Sequence, residues 1–133
     1  MEFTADDRIT ITELIAMHGH LVDAGELVRL GELFTEDVFY DVTDLGAPPI
    51  EGLAAMREAS YALGAANAVA HIVTNTVLTE IEPGRVRALS KGLGVRADGT
   101  CGSVTYDDTA VRTEQGWRIT HRRVLARRAP LGG

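Results

Sequence analysis

The sequence has one cysteine, Cys101, in 133 residues, so it can close no intrachain disulfide and offers no multi-cysteine metal site. It has no run of lysine and arginine. Its formal net charge is −6, an acidic balance that argues against a nucleic-acid partner, whose phosphates require clustered cations. No apolar run approaches the ~20 residues that span a bilayer. The start carries Glu2, Asp6 and Asp7 ahead of any apolar stretch, which predicts no secretion signal and makes the cytoplasm the expected location. There is no HxH, HxxxH or EF-hand spacing, so no metal site is expected. Phosphate-loop, dinucleotide-glycine and GxSxG patterns are also missing, and no cofactor is expected. No repeat or low-complexity segment is present. What remains is 45% hydrophobic and 24% charged, the profile of a single soluble globular domain over 1–133 with a loose tail at 130–133.

The first half reads as helical. Thr4 followed by Asp6 and Asp7 forms a capped helix start, and Ile11, Leu14, Ile15, His18, Leu21 and Val22 recur at helical spacing behind it. Gly25 closes that helix. Leu27, Leu30, Leu33 and Phe34 predict a short second helix, Val38–Thr43 a strand, and 52–63 a third helix. From His71 the pattern turns to strands over 71–82, 85–96, 103–113 and 117–129, joined by glycine-containing turns. Helices followed by a meander predict an α+β layer fold with helices on one face of a curved sheet.

Alternation along the first meander strand places His71, Val73, Asn75, Val77, Thr79 and Ile81 on one face, and the apolar members predict that this face is buried. His71 and Asn75 then either find partners in a core or line a wet cavity, because an unpartnered buried polar group costs about 1–3 kcal/mol. Asp23 sits at a helix C-terminus, where the dipole disfavours an acid, so it calls for an outside partner. A histidine is the economical choice. A carboxylate on one ring nitrogen fixes the tautomer and strengthens the other nitrogen as a base.

His18 lies on the apolar face of the first helix, either as a core histidine or as a pocket ligand, while His20 points elsewhere. His121 alternates with Trp117 and Ile119 on the last strand. Arg122, Arg123, Arg127 and Arg128 read as the solvated side of that strand. Of the adjacent Asp107 and Asp108, only one can face a pocket.

The segments Val22-Asp23-Ala24-Gly25-Glu26-Leu27, Leu33-Phe34-Thr35-Glu36-Asp37-Val38, Ala70-His71-Ile72-Val73-Thr74-Asn75 and Gly116-Trp117-Arg118-Ile119, in this order, resemble the SnoaL-like, scytalone-dehydratase-like branch of the nuclear-transport-factor-2-like superfamily. The resemblance covers nearly the whole chain. It implies a conical, cystatin-like α+β fold, with three N-terminal helices packed on a strongly curved, mostly antiparallel sheet that encloses a pocket. Scytalone dehydratase and hexachlorocyclohexane dehydrochlorinase, members of this superfamily, use an aspartate-oriented histidine to remove a proton, and their dyad matches Asp23 and His71. Other pocket positions depart: Arg96 or a neighbour replaces a second histidine, Tyr40 stands in for a tyrosine near Val42, and Asp107 falls near an asparagine. The superfamily also commonly dimerises through the outer sheet face, so a homodimer or higher homo-oligomer is expected.

Together these readings favour an enzyme. They point to a cofactor-independent, dehydratase-like lyase or isomerase acting on a small, largely apolar organic molecule. His71 and Asp23 are the candidate catalytic residues; His18, Tyr40, Asn75, Arg96 and Asp107 are the candidate substrate ligands. Two alternatives stand beside this one: a polyketide-type aldol cyclase, and a non-catalytic module that captures a ligand or protein in the cone.

Overall fold

The computed structural model describes residues 2–132; the part of the expected tail at Gly133 lies outside them. Helix α1 runs Ala5–Asp23 and begins in a reciprocal cap. The Thr4 hydroxyl accepts from the Asp7 amide at 3.1 Å, and the Asp7 carboxylate accepts from the Thr4 amide at 2.9 Å. The same carboxylate also accepts from Trp117 Nε1 and Arg112 Nη2, both at 3.1 Å. The helix start is thereby tied to the far strands of the sheet.

A 3₁₀ stretch, Leu27–Glu32, follows. It replaces the expected second helix, because Leu27 and Leu30 bury one side of a six-residue 3₁₀ segment of about two turns and Phe34 already belongs to a strand. Strand β1 is Phe34–Asp41, starting earlier than the predicted Val38, and β2 is the short Ile50–Glu51. Helix α2, Leu53–Leu63, opens after Gly52, whose φ of +92° favours glycine. The meander follows as β3 Ala70–Glu82, β4 Arg85–Val95, β5 Cys101–Thr113 and β6 Gly116–Arg127, within about two residues of the sequence expectation at each boundary.

These strands form one open, curved sheet in the order β2-β1-β6-β5-β4-β3. All neighbours are antiparallel except β1 and β6, which run parallel. The main core lies between α1, α2 and the sheet. Ile11, Ile15, Leu30, Phe34, Val38 and Ile119 are essentially inaccessible there, each contributing about 1.5–3 kcal/mol by burial. A smaller cluster of Val42, Tyr106 and Val124 continues toward the other end of the sheet.

Two bulges decide which side chains face inward. On β3 the register jumps from Thr74 opposite Lys91 to Val77 opposite Leu89, so two residues, Asn75 and Thr76, oppose Ser90. Asn75 takes a left-handed φ of +59°. Before the bulge His71 and Val73 face in. After it the parity reverses: Leu78 packs on the core, while Val77 and Ile81 are 62% and 54% exposed. The expected single buried face from His71 to Ile81 is therefore corrected to two half-faces. On β6 the register jumps between Ile119 opposite Ala110 and His121 opposite Thr109, leaving Thr120 unpaired with β5. Trp117 and Ile119 face in, then Arg122 and Val124 do. His121 stacks instead on Phe39, with ring centroids 5.3 Å apart.

Candidate active site

The last turn of α1 meets the first residues of β3 because position 19 is a glycine. A Cβ on Gly19 would stand 2.8 Å from the His71 carbonyl oxygen and 3.2 Å from the His71 Cβ. One helical turn further on, Asp23 holds His71 twice. Its Oδ2 accepts from the His71 amide at 3.0 Å, and its Oδ1 lies 2.6 Å from His71 Nδ1. This answers the misplaced acid: the carboxylate at the helix C-terminus is satisfied by donors on another element. With the Nδ1 proton directed at the carboxylate, the lone pair of a neutral imidazole is left on Nε2. The two side chains retain 27% and 26% of their exposure, so the pair is open to a small molecule.

His71 lines a cavity of about 600 Å³. Val22 of α1, Met56 and Leu63 of α2, Val73 of β3, and Val42 and Val124 at the sheet side give it largely apolar walls. That volume suits a small organic molecule. Arg96, Arg127 and Arg128 also line the cavity but are themselves exposed, and they place positive charge at its edge.

Behind the cavity lies a buried polar cluster. Arg122 and Asp108 are both inaccessible to solvent and joined by two parallel bonds, Nε to Oδ1 at 2.7 Å and Nη2 to Oδ2 at 2.8 Å. This bidentate geometry is the strong form of the pair, although the desolvation of both ions offsets much of the attraction. Burial opposes the Arg122 charge, but the adjacent Asp108 carboxylate outweighs it and keeps the guanidinium protonated. The remaining nitrogen, Nη1, lies 2.6 Å from His18 Nδ1. The guanidinium also packs over the Tyr106 ring at 4.2 Å and faces Phe34 and Tyr40 at 5.7 and 6.0 Å. Burial, followed by the Arg122 charge, holds the His18 imidazole well below its ordinary value, so it is neutral. Burial raises the Tyr40 phenol and pushes Tyr106 up to about 12, so both keep their protons at neutral pH.

The candidate residues thus divide. Asp23 and His71 are in contact, and His18 and Tyr40 line the same cavity. Arg96 stands at the cavity edge and bonds the Thr100 hydroxyl at 3.3 Å. Asn75 is corrected: it sits in the bulge, exposed and outside the cavity, its Oδ1 accepting from Thr74. Asp107 is also corrected. It faces away from the cavity and is held by Arg87 through bonds of 2.9 and 2.8 Å, while Asp108 is the inward acid. Arg122 is corrected from a solvated strand residue to a fully buried one. The missed signal was the run Tyr106, Asp108, Ala110, whose parity puts one acid among core positions that need a buried cation. Among the described residues no group of three or more His, Cys, Asp or Glu side chains converges to hold a metal. No described helix is long and apolar enough to cross a membrane.

This architecture, an open curved sheet and helices around an apolar cavity, is that of the cystatin-like folds. The chain belongs to the SnoaL-like domain family, whose pattern it matches over residues 4–123. Among solved structures it is similar to an NTF2-like protein with a cystatin-like fold from Novosphingobium aromaticivorans, with 31% identity, TM-score 0.79, and coverage of 95% of this chain and 85% of that one. It shares the fold of LinA, with 21% identity, TM-score 0.76, and coverage of 96% and 93%. It also shares the fold of a scytalone dehydratase-like protein from N. aromaticivorans, with 18% identity, TM-score 0.74, and coverage of 94% and 89%. No curated protein sequence matches the chain.

Proposed function

We propose that this protein is a cofactor-independent lyase or isomerase that removes a proton from carbon in a small, largely apolar organic substrate. The observation that carries this reading is the 2.6 Å contact between Asp23 and His71 beside the cavity of about 600 Å³. His71 Nε2 would take the proton from a carbon next to an activating group. The Asp23 carboxylate would stabilise the imidazolium so formed, and its second oxygen, bonded to the His71 amide, keeps the ring from turning. The electron pair released from carbon either expels a leaving group on the neighbouring carbon or is reprotonated elsewhere by the same imidazolium.

The membership in the SnoaL-like family supports a small-ligand cavity, and the scytalone dehydratase-like neighbour supports elimination as the reaction class. The test is the paired variants His71→Ala and Asp23→Asn, assayed on a substrate the native protein converts. Turnover is expected to vanish in the first and to fall about 100-fold or more in the second, in folded protein. Unchanged turnover in His71→Ala would sink the reading.

A further inference from the structure

Arginine has only donors, and Arg122 approaches His18 at Nδ1. That nitrogen must therefore accept, and the ring's single proton sits on Nε2. The ring is fixed edge-on to Phe34 and Tyr40, at centroid distances of 5.0 and 6.2 Å, and no described protein group bonds its Nε2. Because His18 lines the cavity, the one donor it can offer is available there.

We propose that His18, its tautomer set by the buried Arg122–Asp108 pair, is a neutral hydrogen-bond donor for the oxygen of an enolisable carbonyl substrate; this rests on the general-base reading of His71. The electron balance is simple. His71 takes the carbon-bound proton, and the C–H pair moves into the carbonyl to form an enolate. The oxygen is then held by the His18 N–H, which keeps its proton. Collapse of the enolate either returns the His71 proton to a different carbon or expels a β-hydroxyl, which leaves as water with that proton. His18 is not an acid in this scheme. Losing the Nε2 proton would leave an imidazolate that Arg122 cannot reprotonate. What Arg122 supplies is positive charge behind the ring, which strengthens the donor as negative charge builds on the substrate oxygen. Asp108 is a positioning residue, fixing the guanidinium so that Nη1 is the nitrogen presented to His18.

This donor resists protonation because every element around it works the same way. Arg122 on β6 presents its positive charge to Nδ1, and His71 on β3, Tyr40 on β1 and Tyr106 on β5 offer no negative charge that would favour an imidazolium. The carboxylate of Asp108 on β5 is engaged by the arginine.

Para-nitrophenol is the probe, because its phenolate oxygen mimics an enolate and its visible absorption reports ionisation. The native protein is expected to bind the ion more tightly than the phenol, by about tenfold or more. His18→Leu removes this preference. His18→Gln, whose amide can accept from Arg122 and still donate into the cavity, retains part of it. Nitrogen NMR of the native protein, which needs no variant, is expected to show His18 as the neutral Nε2–H tautomer; an Nδ1–H tautomer overturns the proposal. It also falls if the native protein shows no preference for the ion. Loss of the preference in His71→Ala with retention in His18→Leu overturns it too, since the ion is then held by protonated His71. A preference unaffected at His18 but abolished by salt assigns the ion to the edge arginines and likewise overturns the proposal.

Deuterium exchange from solvent into isophorone, a small apolar enone, tests the base separately. Exchange that depends on His71 without a His18-dependent ion preference leaves the base reading and removes this one. A His18-dependent preference without exchange does the reverse, leaving the donor and removing the base.

Discussion

Gly19 and His71 touch backbone to backbone: a side-chain carbon on Gly19 would collide with the His71 carbonyl oxygen at 2.8 Å. The obstacle is a strand carbonyl, which has no freedom to move aside. Gly19→Ala is therefore expected to push α1 away from β3 and to open the Asp23–His71 contact, since Asp23 follows on the same helix face. Stability should fall by about 1–3 kcal/mol, and turnover by about 100-fold through misplacement alone. Denaturant unfolding and steady-state kinetics on one preparation check both.

The Arg122–Asp108 pair predicts an asymmetry between single and double replacement. Asp108→Ala leaves a buried guanidinium without its counter-ion and is expected to cost about 3–5 kcal/mol. Arg122→Met combined with Asp108→Leu removes both charges and is expected to recover most of that loss. Urea midpoints of the three proteins decide it, and a double variant as unstable as the single one refutes the account.

His18 makes stability depend on pH on the acid side of neutrality. Its folded value lies well below 6.5, so below about pH 6.5 the unfolded chain binds a proton that the folded chain refuses. The contribution is complete above that pH and drains away as pH falls toward the folded value, with a slope of up to about 1.4 kcal/mol per pH unit. His18→Gln should flatten the curve between about pH 6.5 and 5. An unchanged slope in that variant contradicts the assignment.

Asp7 governs a lower range. Its bond to the Thr4 amide, then that to Trp117, holds its carboxyl well below the ordinary 3.8. The stabilisation is present above that ordinary value and is lost as the pH falls below it toward the folded one. Asp7→Asn should be less stable than the native protein at pH 7, and their unfolding midpoints should converge in strong acid.

Gly92 gives a test of cavity shape. A Cβ there would lie 2.4 Å from the Tyr106 ring, which rests directly on the glycine. Gly92→Ala is expected to drive that ring off its seat toward the cavity it lines. Ligand affinity should weaken by about tenfold or more, read by titration with para-nitrophenol.

Much of this molecule is legible in its sequence. The reciprocal cap of Thr4 and Asp7, the apolar spacing of α1, and the glycine turns of the meander are local signals that tertiary packing reinforces. Asp23 and His71 stand out by local misfits, an acid at the wrong helix end and a polar residue on an apolar strand. What escapes has a shared cause. Counting by twos along β3 and β6 assumes an unbroken pleat, and each strand stores an extra residue near its middle, with β3 storing a second at Ile81. The count loses the true facing at Asn75 and Thr76 on β3 and at Thr120 on β6, which is why it puts Asn75 and His121 inward and Arg122 outward. The Leu27–Phe34 segment fails differently: its leucine spacing fits one turn of either helix, and only the pairing of Phe34 with Ile119 shows where the strand begins.

The extra residue on β6 also has a bearing on how such a chain can change over generations. Deleting Thr120 would straighten the strand and cost its contact with Thr35, yet Arg122 would still point inward, because the bulge already absorbs the count. A deletion just beyond it, at His121, with the bulge kept, would turn Arg122 out to water and bring Arg123 and Leu125 to the inner side. A single codon thus separates a harmless shortening from a rewritten interior, and relatives of altered length in β6 should be compared by facing rather than by alignment column.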